Sequence, residues 1–366
     1  MPMIQTAGRR ARRKSLRHER DNHQPRPDDY HRARWIAFAS WHKDQPNGPH
    51  FPQFSQHSLF ESMGHRNSLA NSHTPKPKPK LSSSRSRTIG YAELPAWAQD
   101  NEFILGGYRR ISYNWKACFD SLFGYLHNET VNIHSHLAGG LLFAYFFATY
   151  KETWLQQYPT TWADTLALGI FLACAIFCLL SSAFFHTSAC HSQKVMGQCH
   201  ALDYSGILIL IMGSQCSAIR YEFFCNPYQQ AFYSILLISI GCSAAYVLLN
   251  PTYATPAYRS TRATLFIALG LGGIIPVTHC VIRDGAYTVF IETGHWWLLF
   301  SAFLYIFGGI LYANRIPESL SPGTFDYFFA SHQIFHVCVL GGVGAHYTCV
   351  LRGLEYSYSH LASCAA

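Results

Sequence analysis

The chain divides into a polar first third and a body in which apolar runs follow one another. A helix needs about 20 mostly apolar residues to cross a bilayer, and seven such runs occur after residue 131. Backbone groups in lipid must be hydrogen-bonded within their own segment, so each run is predicted to be a helix. The runs are Asn132–Tyr150, Trp162–His186, Ala201–Ile219, Gln230–Asn250, Arg262–Ile282, His295–Ala313 and Ser331–Leu351. The pattern predicts an all-α integral membrane protein, a bundle of seven transmembrane helices.

The charge distribution separates the same two parts. Residues 1–131 carry 20 of the 28 Lys and Arg and 11 of the 20 Asp and Glu, a net charge of +9, whereas residues 132–366 carry −1. Residues 1–88 hold basic clusters and a Pro-Lys alternation, which disfavours a helix and predicts a disordered basic arm. The alternative for this arm is a polybasic segment held near anionic headgroups.

The remaining boundaries follow from composition and from the basic residues beside the spans. Residues 89–131 mix aromatic with basic side chains and are predicted to be a cytoplasmic juxtamembrane segment. Residues 132–352 form the seven-helix domain, and residues 353–366 are a short C-terminal tail. Seven Lys and Arg flank the spans on one side and four on the other, which predicts a cytoplasmic N-terminus and an outer C-terminus. The expected location is the plasma membrane or the endoplasmic reticulum, as a multi-pass protein.

Polar residues that are unusual in lipid collect where the ends of four predicted spans meet one side of the membrane. Two histidines four apart, His332 and His336, lie on one face of the last helix. An ionised Asp within a span costs about 2.5–3.5 kcal/mol on insertion scales, so Asp203 is expected to have a partner. The full set is Glu129, Asn132 and His136 in span 1, Ser182 and His186 in span 2, Asp203 in span 3, and His332 and His336 in span 7.

Three imidazoles and a carboxylate are the ligand types of a zinc site with an exchangeable position. His186, His332 and His336 are the predicted direct ligands of Zn²⁺. Asp203 would either bind the metal or hold its water, and would take or return a proton. Zinc lowers the pKa of a bound water to about 7, which supplies a nucleophile. Ser182 would orient Asp203 as a supporting group, beside the structural motif Glu129, Asn132 and His136.

Each of these residues, taken alone, also has an interpretation without a functional role. His332 alone could be a helix-end histidine that touches headgroups, and Asp203 alone could cap a helix. Cys190-His191 and Cys199-His200 could form a second soft-metal site, but two unpaired thiols are the favoured interpretation because the spacing matches no standard finger. Most of the twelve cysteines lie inside apolar runs and are predicted to be small buried hydrophobes.

At these residues the chain resembles the progestin and adipoQ receptors, the hemolysin-III-related seven-helix proteins. Three short patterns carry the resemblance, which covers about residues 90–352. They are Glu129-x-x-Asn132-x-x-x-His136, Ser182-x-x-x-His186 followed by Asp203, and His332-x-x-x-His336. The resemblance implies zinc on His186, His332 and His336, an N-terminus inside the cell, and possession of either receptor or lipid-amide hydrolase activity. It also implies a link of the fungal branch to zinc and sterol homeostasis.

Three functions remain open at this stage. The first is an intramembrane zinc hydrolase that acts on a lipid amide such as ceramide. The second is a signalling receptor in which zinc is only structural. An ion or proton transporter is less favoured, because the ionisable groups gather at one end of the bundle. The expected partners are membrane lipids, with a lipid-amide or sterol ligand or an extracellular protein ligand; no nucleic acid is expected.

Overall fold

The computed structural model describes residues 86–250, 253, 258–360 and 364. The predicted disordered arm therefore lies outside the described residues, apart from its last three positions. A two-residue antiparallel ribbon, β1 (Thr88–Ile89) with β2 (Tyr108–Arg109), precedes the helices. The α-helices in this part of the chain are α1 (Trp115–Gly124), α2 (Thr130–Thr153), α3 (Trp162–Ser188), α4 (Gln193–Glu222), α5 (Pro227–Leu248), α6 (Arg259–Leu271), α7 (Ile274–Asp284), α8 (Trp296–Asn314) and α9 (Ser331–Ser359).

Six stretches of the described chain are long and apolar enough to cross a membrane: α3, α4, α5, α6 with α7, α8 and α9. The predicted all-α membrane fold is confirmed in this respect. Helix α2, with 24 residues, has sufficient length but falls outside that set. Polar residues near both of its ends lower its mean hydropathy, among them His134, His136 and Lys151.

Helices α3 and α9 form the centre of the bundle. About half of each apolar span is buried, 50% for α3 and 56% for α9, against 17% for α5 and for α8. Helix α3 packs between α2 and α4, and α9 packs against α8, α2 and α4. The main core lies between them and includes Phe143, Phe171, Leu179, Val343 and Val350. The helices that carry the most buried surface therefore also carry His186 and the His332–His336 pair.

Local sequence signals explain where the helices begin. The Asn226 side chain accepts a hydrogen bond from the Gln229 amide, and Pro227 occupies the first turn of α5. Ser192 caps α4 through the Val195 amide. Because this cap lies well before Ala201, α4 starts earlier than the predicted third span. Helix α9 likewise continues to Ser359, beyond the predicted end of the seventh span.

Not all of the cysteines follow the prediction, and Cys174 and Cys216 are only half-buried. Cys225, after α4, forms a disulfide with Cys364, after α9, across a sequence separation of 139 residues. Cys242 is exposed on α5 rather than buried. Burial holds for Cys178, Cys280, Cys338 and Cys349, which lie in the apolar helices as predicted.

One glycine sets the separation of α3 and α4. A Cβ atom on Gly206 would lie 2.9 Å from the Cα of Cys178, so any side chain there must displace the backbone. We predict that Gly206→Ala lowers the thermal unfolding temperature, since overpacking costs about 1–3 kcal/mol. Gly344→Ala in α9, where a Cβ would meet nothing within 4 Å, is the matched control and should not lower it. Equal unfolding temperatures in detergent for the two variants would contradict close packing at Gly206.

Candidate metal centre

The three predicted metal ligands meet between α3 and α9. One ring nitrogen from each of His186, His332 and His336 lies within 4.8 Å of the other two, and this is the one such group of His, Cys, Asp and Glu in the described residues. The ring centroids are 4.7–4.9 Å apart. His186 and His336 are buried and His332 is half-buried. Close imidazoles in an apolar bundle need a shared partner, and a metal ion can supply it.

A carboxylate from the start of α2 orients His186. The Nδ1 of His186 lies 2.7 Å from Oε2 of Glu129, and the Asn132 side-chain amide donates to the same oxygen at 2.6 Å. A carboxylate can only accept, so Nδ1 carries the proton. The buried Nε2 of His186 has no hydrogen-bond partner among the described residues. His186 therefore presents a free electron pair to the other two rings, as metal-binding histidines backed by a carboxylate do.

His336 is oriented in the same way by backbone. Its Nδ1 donates to the carbonyl of Asn132 at 3.1 Å, which leaves Nε2 free of that contact. His136 stacks on His336 with ring centroids 3.7 Å apart and donates through Nε2 to the His336 carbonyl at 3.2 Å. The motif residues of α2 thus hold the triad from one side.

The first turn of α9 is fixed by a buried acid that the sequence patterns missed. Glu318, completely buried, accepts the Ser331 amide at 2.7 Å and also the Ser331 hydroxyl. An acceptor at this position satisfies a free N–H group at the helix start. Gln333 donates to the carbonyls of Asn128 and Tyr327 at 3.1 and 3.0 Å. His332 lies between these two anchored residues.

Arg109 holds the other histidine-bearing helix end, also unforeseen. The segment around it was predicted only to be a cytoplasmic juxtamembrane segment. The Arg109 side chain is 5% exposed and donates to the carbonyls of His186 and Thr187, and to the Ser121 hydroxyl at 3.0 Å. A cation on the last carbonyls of a helix is stabilising, and here it fixes the end of α3. No local sequence signal distinguishes Arg109 from Arg110.

Asp203 lines a cavity beside the triad and lies outside the close group of ring nitrogens. Its carboxylate is buried in α4 with the Ser182 side chain as a hydrogen-bonding neighbour, but it does not belong to the close nitrogen group. Asp203, Ser182, His332 and His336 line a cavity of about 200 Å³. Most of the remaining lining is apolar or aromatic and includes Ile207, Phe266, Ile267, Tyr305 and Val339.

The donor set fits a zinc ion. Zn²⁺ takes imidazole nitrogen at about 2.0–2.1 Å and accepts three protein ligands with an open fourth position. The orphaned Nε2 of His186 and the Glu129 contact behind it are the features that such a site needs. The structure thus brings together a buried histidine triad that could bind a metal ion, as predicted; the identity of the metal remains a prediction.

Two other expectations can be compared with the structure. Cys190 and Cys199 join no metal-binding group in the described residues and are free thiols, in agreement with the favoured interpretation. Ionisable groups, in contrast, are not confined to one end. Glu222 and His295, both buried, lie 3.1 Å apart at the opposite end of the bundle.

Comparison with known proteins gives a family. The model of the haemolysin-III-related family matches residues 124–347, more than half of the chain. The chain belongs to this family, that of the progestin and adipoQ receptors. The matched residues include the histidine triad and also Glu129, Asn132 and His136.

Curated family members agree over most of this chain. The chain is 37% identical over 271 residues to the progestin and adipoQ receptor-like protein 1 of Caenorhabditis elegans, covering 73% of this chain and 61% of that protein. It is 36% identical to the ADIPOR-like receptor IZH2 of Saccharomyces cerevisiae, covering 74% and 84%. Heptahelical transmembrane protein 1 of Arabidopsis thaliana is 34% identical, covering 74% and 82%. The chain thus matches less than two thirds of the nematode relative. These similarities support an integral, multi-pass, receptor-like membrane protein.

The Glu129–His186 contact can be tested by metal affinity. Glu129→Gln should weaken zinc binding about 10–100-fold, because the amide loses the charge that holds the His186 proton. Competition with a chromogenic chelator measures this on the purified protein. Glu152→Gln, an exposed acid at the other end of α2, is the control and should leave affinity unchanged. Equal affinity of the two variants would show that Glu129 has no part in the site.

Proposed function

We propose that this protein is a seven-helix, zinc-binding, receptor-like membrane protein that hydrolyses a lipid amide of the ceramide type. The observation that supports hydrolysis is the buried Asp203 carboxylate in the lining of the cavity that His332 and His336 of the triad also line. Zinc held by His186, His332 and His336 would polarise a carbonyl and lower the pKa of a water molecule.

Asp203 is the residue assigned to proton transfer. It would accept the proton of the attacking water and return it to the leaving amine nitrogen. Asp203 and two of the triad histidines line the same cavity, and Ser182 beside Asp203 would fix the carboxylate orientation. Glu129, in contact with His186, would keep the ligand tautomer constant throughout.

The composition of the cavity lining is compatible with an apolar chain of a lipid. The lining combines aliphatic and aromatic side chains with a smaller number of polar groups, the usual make-up of a small-molecule site. Membrane lipids are the proposed partners, with a lipid amide or sterol as ligand and an extracellular protein ligand as a further candidate. The similarity to fungal IZH proteins is compatible with a role in lipid or zinc homeostasis.

We also propose that the chain crosses the membrane seven times and that its C-terminus lies on the outer side. Helix α2 is about 36 Å long at 1.5 Å per residue, enough to cross the hydrocarbon core. The Cys225–Cys364 disulfide lies at the end of the bundle opposite the triad. Disulfides persist in oxidising compartments, so this end is assigned to the outer or lumenal side. The Lys and Arg bias favours the same orientation.

Substitution of the proposed proton carrier tests the hydrolase. Asp203→Asn should keep bound zinc and the folded state but lower ceramide hydrolysis at least 100-fold, the usual range for loss of a general acid–base group. Zinc content, thermal unfolding and released sphingoid base are measured on one preparation. Asp120→Asn, an exposed acid on α1, is the matched control.

The receptor with structural zinc makes a different prediction for the same measurements. Under this hypothesis the unsubstituted protein hydrolyses no lipid, while removal of zinc lowers its unfolding temperature. A zinc-loaded Asp203→Asn protein that hydrolyses ceramide at the normal rate would overturn the role of Asp203.

The orientation is checked in sealed microsomes. A tag after residue 366 should resist added protease until detergent is present, because the C-terminus would lie in the lumen. A tag before residue 1 should be removed at once. The reverse pattern would contradict both the charge bias and the assignment of the disulfide end.

A further inference from the structure

Two cysteines outside the spanning helices lie in sulfur contact near the triad. Cys118 is on α1 and Cys190 is in the turn between α3 and α4, and their Sγ atoms are 3.6 Å apart. Cys118 is fully buried and Cys190 is 6% exposed. A disulfide needs an S–S distance of about 2.05 Å, so an approach of about 1.5 Å would join them.

Backbone hydrogen bonds join the segment before Cys118 to the turn that carries Cys190. The amide of Ser112 donates to the Cys190 carbonyl at 2.9 Å, and that of Tyr113 donates to the His191 carbonyl at 3.0 Å. The Cys190 sulfur also contacts the Thr187 carbonyl at 3.9 Å. These contacts hold the chain just before α1 against the turn that carries Cys190.

The surroundings favour a thiolate at one sulfur. The Cys190 thiol donates to the Cys118 sulfur, which lowers the pKa of Cys118 and raises that of Cys190. Although burial opposes the charge, the Ser112 hydroxyl at 3.7 Å and the positive Arg109 side chain lower the Cys118 pKa further. A thiolate is the nucleophile in oxidation and a neighbouring thiol resolves the product, which is the arrangement of a redox pair.

We propose that Cys118 and Cys190 are a redox modification site, a dithiol that a peroxide oxidises to a disulfide and a cellular dithiol reduces again. The Cys118 thiolate would attack a peroxide oxygen and give a sulfenic acid, with hydroxide leaving from hydrogen peroxide. The Cys190 sulfur would attack the sulfenic sulfur, forming the S–S bond and releasing a second hydroxide. The two thiol protons complete two water molecules, so two thiols and one peroxide give one disulfide and two waters.

Arg109 would connect the disulfide to the metal centre, because Arg109 binds the backbone next to His186. The disulfide would tie α1 to the turn that follows α3, beside the carbonyls of His186 and Thr187 that Arg109 binds. The proposed cysteine site does not depend on lipid-amide hydrolysis, since it rests only on the contact between the Cys118 and Cys190 sulfurs. The pair also lies at the end of the bundle opposite the Cys225–Cys364 disulfide.

Peptide mapping on the whole protein tests the pair. Full-length protein in lipid nanodiscs is reduced, treated with hydrogen peroxide, alkylated and digested without reductant. We expect a Cys118–Cys190 cross-linked peptide, formed at least tenfold faster than the thiol of Cys199 is lost, and fully reversed by dithiothreitol. Cys199 is the internal control because it is a buried free thiol near the start of α4, with no sulfur contact to another described cysteine.

Two variants separate the pair from general oxidation. Cys190→Ser should stop cross-linking and let a Cys118 sulfenic acid accumulate, detected with dimedone, whereas Cys199→Ser should leave cross-linking unchanged. The proposal is overturned if Cys118 and Cys190 remain alkylatable while Cys199 is oxidised, or if Cys118 passes to sulfinic acid without a cross-link. The reaction of the unsubstituted protein decides the matter even if a variant fails to fold.

Discussion

Imidazole and carboxylate groups inside an apolar bundle must find their partners within the protein, because lipid supplies none. Here that constraint is satisfied by α2, which offers the Glu129 carboxylate to His186 and the Asn132 carbonyl to His336. Each contact uses Nδ1 of the ring and leaves Nε2 for the centre of the triad. The packing of α2, α3 and α9 is thus tied to the tautomers of two histidines. Loss of either contact would loosen helices and ligands together.

Two buried charged residues outside the triad also hold the helices that carry it. Arg109 binds the last carbonyls of α3, and Glu318 binds the first N–H of α9. Both charged groups are buried at helix ends, where the unpaired backbone groups have the opposite partial charge. The ends of α3 and α9 that bear the histidines are therefore held from outside the membrane span as well as from α2.

Much of the site is readable from sequence because its signals are local. The four-residue spacing of His332 and His336 fixes a common helix face, and the apolar runs fix which span ends share a side. Arg109 and Glu318 carry no such signal, since the helix-end carbonyls that Arg109 binds lie 77 or 78 residues away and the helix start that Glu318 binds lies 13 residues away. The same holds for Cys118 with Cys190, at a separation of 72 residues. Contacts made by loops depend on tertiary packing, which a period of polar and apolar residues does not encode.

The separate position of Asp203 bears on whether a bound metal does chemistry. A metal that only joins helices needs its ligands and the groups behind them, and those are complete without Asp203. An Asp in an apolar span costs about 2.5–3.5 kcal/mol on insertion scales. Ser182 is its hydrogen-bonding neighbour and offsets part of that cost. A carboxylate that lines the cavity and lies outside the group of three ring nitrogens has a placement compatible with a proton carrier. This placement is what supports the proposed catalytic role over a purely structural one.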